Sequence, residues 1–326
     1  MMNRRQVLAW SGASALGLSG VGAVRAESYP SGAITIVLPL QAGSASDVAV
    51  RHMADRLTQR MPESSFVVEN VAAAAGLVGL ERLSRARPDG RTVAALNNSI
   101  LTILPHLQAK HLKRDPRADL VPVAGIANIP TFFAVPANSP IKTIDDLIKT
   151  AKTERVTYSS GGVGSPQHMA TEMFNAYTGV KLEHVPYRGA AQASLAVAMG
   201  EVQVMSMALS MAQPFLADKR IRLIGYCGTE RYPQFRDLPT LQESGIKGYE
   251  YSSWIALFLP REAPAEAVAE LRKHAQAISV DREFQTQLIR SGLQPWARDE
   301  KQLASIVDVD HGRWKKIIQE ANIPTA

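Results

Sequence analysis

Short runs of apolar, mostly β-branched residues recur along the chain and alternate with longer amphipathic segments. This alternation is typical of β-α units arranged around a largely parallel sheet, so we predict an α/β fold. Helices are expected in the gaps between the strands. The predicted strands are residues 34–38, 66–69, 92–96, 132–135, 156–158, 202–205, 223–226 and 255–259.

A stripe of apolar residues lies between the first two predicted strands. Its members recur at the spacing of one helix face, which predicts an amphipathic helix covering one face of the sheet. The stripe is formed by Val50, Met53, Ala54, Leu57 and Met61.

Two segments have the character of connections between domains. A length of 326 residues favours two domains over one. Segments 121–135 and 249–259 are apolar and extended, and prolines at 122, 130, 136 and 260 interrupt or follow them, as expected where a chain passes between two α/β lobes. We therefore predict that lobe 1 comprises residues 27–127 plus 249–326, and that lobe 2 comprises residues 128–248.

The C-terminal part of the chain has a different pattern. Residues 264–279, 281–290 and 299–321 are predicted to form three consecutive helices with no strand between them. We expect these helices to pack back on lobe 1.

The N-terminal segment has the composition of an export signal. An arginine pair, Arg4 and Arg5, precedes a weakly apolar stretch rich in Gly, Ala and Ser, and Arg25-Ala26 ends it. The stretch is too short and too interrupted to span a bilayer, so we expect cleavage near Ala26 and a periplasmic protein. The arginine pair and low hydrophobicity favour the twin-arginine route over the general secretory route, which also uses arginine pairs.

Charge and cysteine content narrow the choice of function. The net charge of +6 falls to +3 without the signal, because cleavage leaves 33 basic and 30 acidic side chains. The basic residues are scattered among acids, so no track for nucleic acid is expected. Cys227 is the only cysteine, which excludes an intramolecular disulfide and a cysteine metal cluster.

The segment 39–47 joins the first predicted strand to the first predicted helix. Its small residues let backbone N–H groups approach a ligand, and the helix N-terminus favours an anion. Ser46 or Asp47 is predicted to cap that helix. The alternative is a short, well-capped connection without a ligand. The candidate binding residues here are Leu40, Gln41, Ala42, Gly43, Ser44, Ser46 and Asp47.

The segment 158–168 has the same organisation of strand, small-residue loop and helix. Ser165 before Pro166 predicts a sharply placed N-cap, since proline favours the first helical position and an extended predecessor. An oxyanion site is favoured over a plain turn. A dinucleotide site is disfavoured, because the third glycine and an acidic ribose partner are missing. The candidate residues are Ser159, Ser160, Gly162, Gly164, Ser165 and His168.

Catalytic and metal motifs give little support to an enzyme. The sequence contains no phosphate-binding P-loop motif, no zincin motif and no hydrolase nucleophile elbow. His168 and Glu172 share a helix face at i, i+4, but two ligands without a third more often serve capping or packing than metal binding. Cys227 is expected to be a small core residue and not a nucleophile.

A set of short motifs in fixed order makes the chain resemble the Bordetella uptake gene (Bug) family, the extracytoplasmic receptors of tripartite tricarboxylate transporters. The resemblance runs over essentially the whole mature chain. The motifs are Tyr29-Pro30, Pro39-x-x-x-Gly43-x-x-x-Asp47, Val67-Val68-Glu69-Asn70, Gly76-x-x-Gly79, Pro88-Asp89-Gly90-x-Thr92, Asn98, Tyr158-Ser159-Ser160-x-Gly162-x-Gly164-x-x-Gln167-His168, His184-Val185-Pro186-Tyr187-Arg188-Gly189, Gly200-x-Val202-Gln203, Pro239-Thr240 and Ser253-Trp254.

The resemblance implies a two-lobed periplasmic-binding-protein (Venus-flytrap) fold with a ligand cleft between the lobes and a parallel-rich sheet in each. It also implies that loop amides, hydroxyls and ordered waters hold a carboxylate. On this basis Asn98 and Tyr187 join the candidate binding residues.

The chain departs from the family pattern at three places, which are segment 43–46, segment 72–75 and Met207. Segment 43–46 has fewer glycines than the family's first loop, and alanines at 72–75 replace most of a Pro-Gly-Ala-Gly-Gly stretch. Met207 stands where an aspartate is common. A thioether is a weak acceptor with an apolar surface, so a cleft-facing Met207 would favour a carboxylate with an apolar body over an amino acid. Alternatively Met207 belongs to the core, since strand alternation leaves its face open.

Together these observations predict a periplasmic solute-binding protein that captures a dicarboxylate or aromatic carboxylate for a tripartite tricarboxylate-type transporter. We expect a monomer that binds its ligand unaltered and associates with membrane subunits of the transporter. No cofactor, metal ion or nucleic acid is expected. A sensory or enzymatic module on the same fold is the alternative, because fold alone does not fix function.

Overall fold

The structure is a computed structural model that describes Tyr29, residues 32–73, 76–112 and 115–320, Ile323 and Thr325. The predicted signal segment and its cleavage point at residue 26 lie outside the described residues. None of the described helices has the length and apolarity needed to cross a bilayer.

The strands and helices alternate along most of the chain. The strands are β1 Gly32–Leu38, β2 Ser64–Asn70, β3 Thr92–Asn97, β4 Leu120–Ile129, β5 Thr131–Pro136, β6 Thr157–Ser160, β7 Glu183–Pro186, β8 Met205–Ala208, β9 Ile221–Tyr226, β10 Ser253–Pro260 and β11 Gln294–Pro295. The helices are α1 Ala45–Arg60, α2 Leu77–Ser84, α3 Leu104–Leu107, α4 Ile144–Thr153, α5 Pro166–Thr178, α6 Ala190–Met199, α7 Leu209–Ala217, α8 Ala265–Ser279, α9 Arg282–Arg290 and α10 Glu300–Glu320.

Lobe 1 is built on a six-stranded sheet in the order β11-β4-β10-β3-β1-β2. β1 runs parallel to β2 and β3, whereas β10 runs antiparallel to β3 and β4. The predicted stripe on α1 is buried against one face of this sheet together with α8 and α9. The structure therefore confirms that the stripe is core.

Lobe 2 contains a three-stranded antiparallel sheet, β8-β5-β9, and a parallel pair, β6-β7. A single parallel bridge between Tyr158 and Val204 links the pair to the segment that leads into β8. The α/β two-lobed prediction is confirmed, but the sheets are less parallel than predicted: β10 and β11 pair antiparallel in lobe 1, and the three-stranded sheet of lobe 2 is antiparallel throughout. The cause is that the chain crosses between the lobes at β5 and at β10, and each of these strands runs antiparallel to its neighbours.

The first crossing is very short. Pro130 alone separates β4, which belongs to the lobe 1 sheet, from β5, which belongs to lobe 2. Segment 121–129 was predicted as a connection and is instead a strand in the middle of the six-stranded sheet. The domain boundaries predicted at residues 128 and 248 stay predictions.

Two further differences concern strand positions. The strand predicted at 202–205 is Met205–Ala208 instead, because residues 201–203 form bends after the left-handed helix cap Gly200. The two-residue strand β11 lies between α9 and α10, where no strand was predicted.

The last helix, α10, contacts both lobes. Leu303 and Val307 pack in a core cluster of lobe 1, whereas Trp314, Ile317 and Ile318 pack with the lobe 2 core. The C-terminal helices therefore pack on lobe 1 as predicted, and α10 in addition packs on lobe 2, which was not predicted. A helix of 21 residues is about 30 Å long, which is enough to reach from one core to the other.

Candidate functional site

A cleft lies where the β1–α1 loop of lobe 1 faces the β6–α5 loop of lobe 2. It holds about 800 Å³ of space, open solvent at its mouth included. Strand ends and short loops line it, together with the first residues of α1, α5 and α6. The N-termini of three helices thus meet at one space, which gives the cleft a positive dipole character.

Ser44 caps α1 at the β1–α1 loop. Its side chain accepts a hydrogen bond from the Asp47 N–H, so the cap lies ahead of the predicted Ser46 or Asp47. The Asp47 carboxylate accepts from the Gly43 N–H at 2.9 Å and from the Asn70 amide at 2.9 Å. Burial acts to raise the pKa of Asp47, but hydrogen bonds from Arg51, Gly43 and Asn70 hold it below its usual value. Asp47 therefore stabilises the β1–α1 loop through its hydrogen bond with Gly43.

Close packing of α2 and of Gly76, its N-cap residue, fixes the same loop. A Cβ on Gly79 would lie 2.7 Å from the Pro39 ring, and a Cβ on Gly76 would overlap the Ile100 side chain. The spacing of Gly76 and Gly79 is therefore explained by contact with the loop and its neighbour.

Ser165 caps α5 as predicted, with Pro166 at the first helical position. Its side chain accepts from the His168 N–H, and the Gly164 N–H donates to His168 Nδ1 at 3.2 Å. Gly164 has a φ of 79°, a left-handed conformation that favours glycine. The loop is thus held in one shape with Ser165 at the cleft.

Removal of the Ser165 hydroxyl tests this double role. We expect Ser165→Ala to lower the free energy of unfolding by about 1 kcal/mol, as loss of an N-cap does. We also expect it to weaken carboxylate binding, because the residue lines the cleft. Chemical denaturation and isothermal titration measure the two effects. Unchanged affinity would restrict Ser165 to a structural role.

Next to the second loop lies a partly buried cluster of two histidines, a tyrosine and a glutamate. The rings of His168 and His184 are 4.5 Å apart, and Tyr158 stacks on His184 at 4.8 Å. The Tyr158 hydroxyl donates to Glu172 at 2.5 Å, and Ser160 Oγ lies 2.6 Å from His184 Nε2. Glu172 and His168 are thus engaged with other partners, and the described residues contain no cluster able to hold a metal ion.

The histidine pair makes stability depend on pH. Burial lowers the pKa of His168 to about 4, and burial with the neighbouring His168 lowers that of His184 to about 4. The unfolded chain, whose histidines titrate near 6.5, binds more protons between these values, so stability falls as the pH decreases from 6.5 towards 4.

We therefore expect the melting temperature to fall over that range, and His168→Gln to reduce the slope. Thermal unfolding across the pH series measures both. An equally steep fall in His168→Gln would show that other groups cause the dependence.

Six of the predicted binding residues line the cleft. They are Leu40, Gln41, Ser44, Ser46, Gly164 and Ser165. Ala42 and Gly43 are exposed beside it. The remaining predicted residues are not part of the lining, namely Asp47, Asn98, Ser159, Ser160, Gly162, His168, Tyr187 and Met207.

Predicted residues that do not line the cleft form hydrogen bonds within the protein. Asn98 donates to the Ser252 carbonyl and accepts from Ser253 Oγ, each at 2.9 Å. Ser159 Oγ donates to the Ala193 carbonyl at 3.0 Å. The Tyr187 N–H donates to the Ser160 carbonyl at 2.9 Å. These bonds fix the strand ends from which the lining residues project.

Met207 is fully buried in the core of lobe 2, beside Ala193 and Val197, while its neighbour Ser206 lines the cleft. The ligand preference inferred from a cleft-facing Met207 therefore loses its structural basis.

Several cleft residues were not predicted from the sequence. Hydroxyl groups of Ser99, Thr131, Ser206 and Ser253 line the cleft, as do the Gln167 amide and the Arg188 guanidinium. Arg188 is adjacent to the predicted Tyr187, and Ser99 follows the predicted Asn98, so a prediction one residue broader would have included both.

One of the cleft hydroxyls has no protein partner in the described residues. Ser46 is 3% exposed and lines the cleft, and no hydrogen bond joins its Oγ to a described residue. Ser99 is 1% exposed and opens a π-helical turn, Ser99–Ile103, but its hydroxyl interacts with that of Tyr251. The Ser46 hydroxyl is therefore available to a ligand.

One contact closes the cleft directly. The side-chain amide of Gln41, from lobe 1, packs against Gly189 of lobe 2 so closely that a Cβ on residue 189 would overlap it. The structure therefore has the two lobes in contact across the site.

Comparison with known proteins agrees with this architecture. Residues 48–323 match the family of tripartite tricarboxylate transporter receptors. The chain belongs to this family, which is one of solute-binding receptors.

Among curated relatives, a UPF0065 protein encoded in the tcbD-tcbE intergenic region of Pseudomonas sp. (strain P51) is 29% identical over 322 residues, 98% of this chain and 95% of the relative. The solved structure of R. palustris Rpa4515 with adipate has a TM-score of 0.87 at 28% identity, covering 91% of this chain and 100% of that one. The periplasmic binding protein BugD has the same fold, with a TM-score of 0.84 at 24% identity over 91% of this chain and 100% of that one.

Proposed function

We propose that this protein is a periplasmic receptor that binds a small organic carboxylate in the cleft, without altering it, and presents it to the membrane subunits of a tripartite tricarboxylate-type transporter. The ligand is a dicarboxylate or an aromatic carboxylate. The receptor acts as a monomer.

The observation that carries this proposal is the convergence of helix N-termini and buried hydroxyls at one space. The starts of α1 and α5 bring backbone N–H groups to the cleft, and Ser46 and Ser99 add two buried hydroxyls. Such donors suit an oxyanion, and each charge-assisted hydrogen bond contributes about 1.5 to 3 kcal/mol. The adipate bound by a relative of 28% identity supports the same class of ligand.

A thermal-shift screen of carboxylates tests the proposal. A true ligand at about 100 times its dissociation constant should raise the stability by about 2.7 kcal/mol. Mass spectrometry of the ligand recovered from the complex should return it unchanged. Recovery of a product in place of the ligand would favour an enzyme. A screen in which no carboxylate stabilises the protein would refute the proposal that it is a carboxylate receptor.

The predicted export route can be tested separately. Arg4 and Arg5 precede a signal of low hydrophobicity, so we expect Arg4→Lys with Arg5→Lys to block delivery to the periplasm through the twin-arginine route. Cell fractionation with an antibody to the mature chain measures this. Normal export of the double variant would contradict the twin-arginine prediction and favour the general secretory route.

A further inference from the structure

The N-terminus of α6 differs from those of α1 and α5 in having no capping side chain. Gly189 occupies its N-cap position, and the first helical bond runs from the Ala193 N–H to the Gly189 carbonyl. The N–H groups of Ala190 and Ala191 have no acceptor in the described part of the chain. Gly189 and Ala190 line the cleft, so the Ala190 N–H lies at the site and can donate to a ligand.

Arg188 stands directly before this helix start. Its side chain is exposed and lines the cleft, and it forms no ion pair or hydrogen bond with another described residue. It is also the only charged side chain among the described residues that line the cleft. A cation at a helix N-terminus is unfavourable by itself, because both are positive. An anion bound between them would stabilise both.

Gln167 provides the third group at the same point. It is 8% exposed, lines the cleft, and its side-chain amide has no partner in the described residues. A Cβ on Gly161 would lie 3.0 Å from the Ala190 nitrogen and 3.3 Å from Gln167 Oε1, so the amide and the helix start converge. A side-chain amide can present either its oxygen or its NH₂ group, so it can donate to an anion.

We propose that Arg188, the Ala190 N–H and Gln167 form a second anion subsite that takes the distal carboxylate of a dicarboxylate ligand. The inference rests on the proposed function, since it assumes that the first carboxylate binds at the starts of α1 and α5. It makes Arg188 the residue that distinguishes dicarboxylates from monocarboxylates of equal length.

Isothermal titration of matched acids tests this subsite. Each straight-chain dicarboxylate from succinate to suberate is paired with the monocarboxylate of the same chain length, and the best-binding pair is chosen. We expect the dicarboxylate to bind at least about tenfold more tightly, as one charge-assisted hydrogen bond allows. Arg188→Gln should remove that advantage, leaving monocarboxylate affinity within about twofold, and Arg188→Lys should keep part of it.

Arg236→Gln is the matched control, because Arg236 is an exposed arginine of lobe 2 outside the cleft. It should change neither affinity. Equal affinity for both members of the pair, or an equal loss of both in Arg188→Gln, would overturn the second subsite while leaving the receptor function intact. If neither member of any pair binds, the dicarboxylate subsite fails, and the proposed function fails as well only if aromatic carboxylates also leave the protein unstabilised in the thermal-shift screen.

Discussion

Replacing Ser46 by aspartate should reduce carboxylate affinity by at least about a hundredfold, because like charges placed together at a binding site cost several kcal/mol. Ser46 lies in the first turn of α1, is 3% exposed and lines the cleft. The new carboxylate would occupy the position proposed for the ligand's own. Isothermal titration with the best carboxylate measures the loss.

An acidic residue in the first turn of a helix is favourable, which offsets part of the cost of a charge at a position that is 3% exposed. Ser46→Asn is the control, because it is similar in size to aspartate but neutral. We expect it to lose less than about tenfold in affinity, and thermal unfolding of both variants checks that the titrated protein is folded. If Ser46→Asp kept wild-type affinity, the carboxylate would not bind at the start of α1.

The second large effect concerns stability. Trp314 on α10 is 4% exposed, packs with the lobe 2 core, and meets the Tyr251 ring edge-on at 5.8 Å. Trp314→Ala leaves a cavity in that core, so we expect it to lower the free energy of unfolding by about 3 to 5 kcal/mol.

Val309→Ala on the same helix is the matched control. Val309 is 66% exposed, so its truncation should change stability by less than about 0.5 kcal/mol. Urea denaturation measures both variants. Similar small effects would mean that the C-terminal half of α10 does not stabilise lobe 2.

Local sequence patterns predicted the parts of the fold that depend on neighbouring residues. Ser165 before Pro166 defines a helix start by backbone preference alone, and the structure confirms it. The stripe on α1 also follows from local spacing. The strand after α6 was placed three residues too early, because residues 201–203 bend after the Gly200 cap and pairing with β5 begins only at Met205. The partner is distant in sequence, so no local pattern marks it.

The cleft residues that depend on distant parts of the chain were likewise not predicted. The two glycine- and serine-rich loops were predicted to hold the ligand because each has a local signature. Ser206 and Ser253 come from strands that reach the cleft only through pairing with β5 and with β3 and β4. Ser206 rather than Met207 lines the cleft, and this choice follows from the packing of α6 against β8, which the sequence alone did not reveal.

The most direct test of carboxylate binding in this cleft is a crystal structure of the protein with its best-binding carboxylate from the thermal-shift screen. One carboxylate group should lie within hydrogen-bonding distance of Ser46 and of the N-termini of α1 and α5, and the ligand should be chemically unchanged. A carboxylate bound elsewhere on the molecule, or an altered ligand in the cleft, would contradict the proposed site and its function.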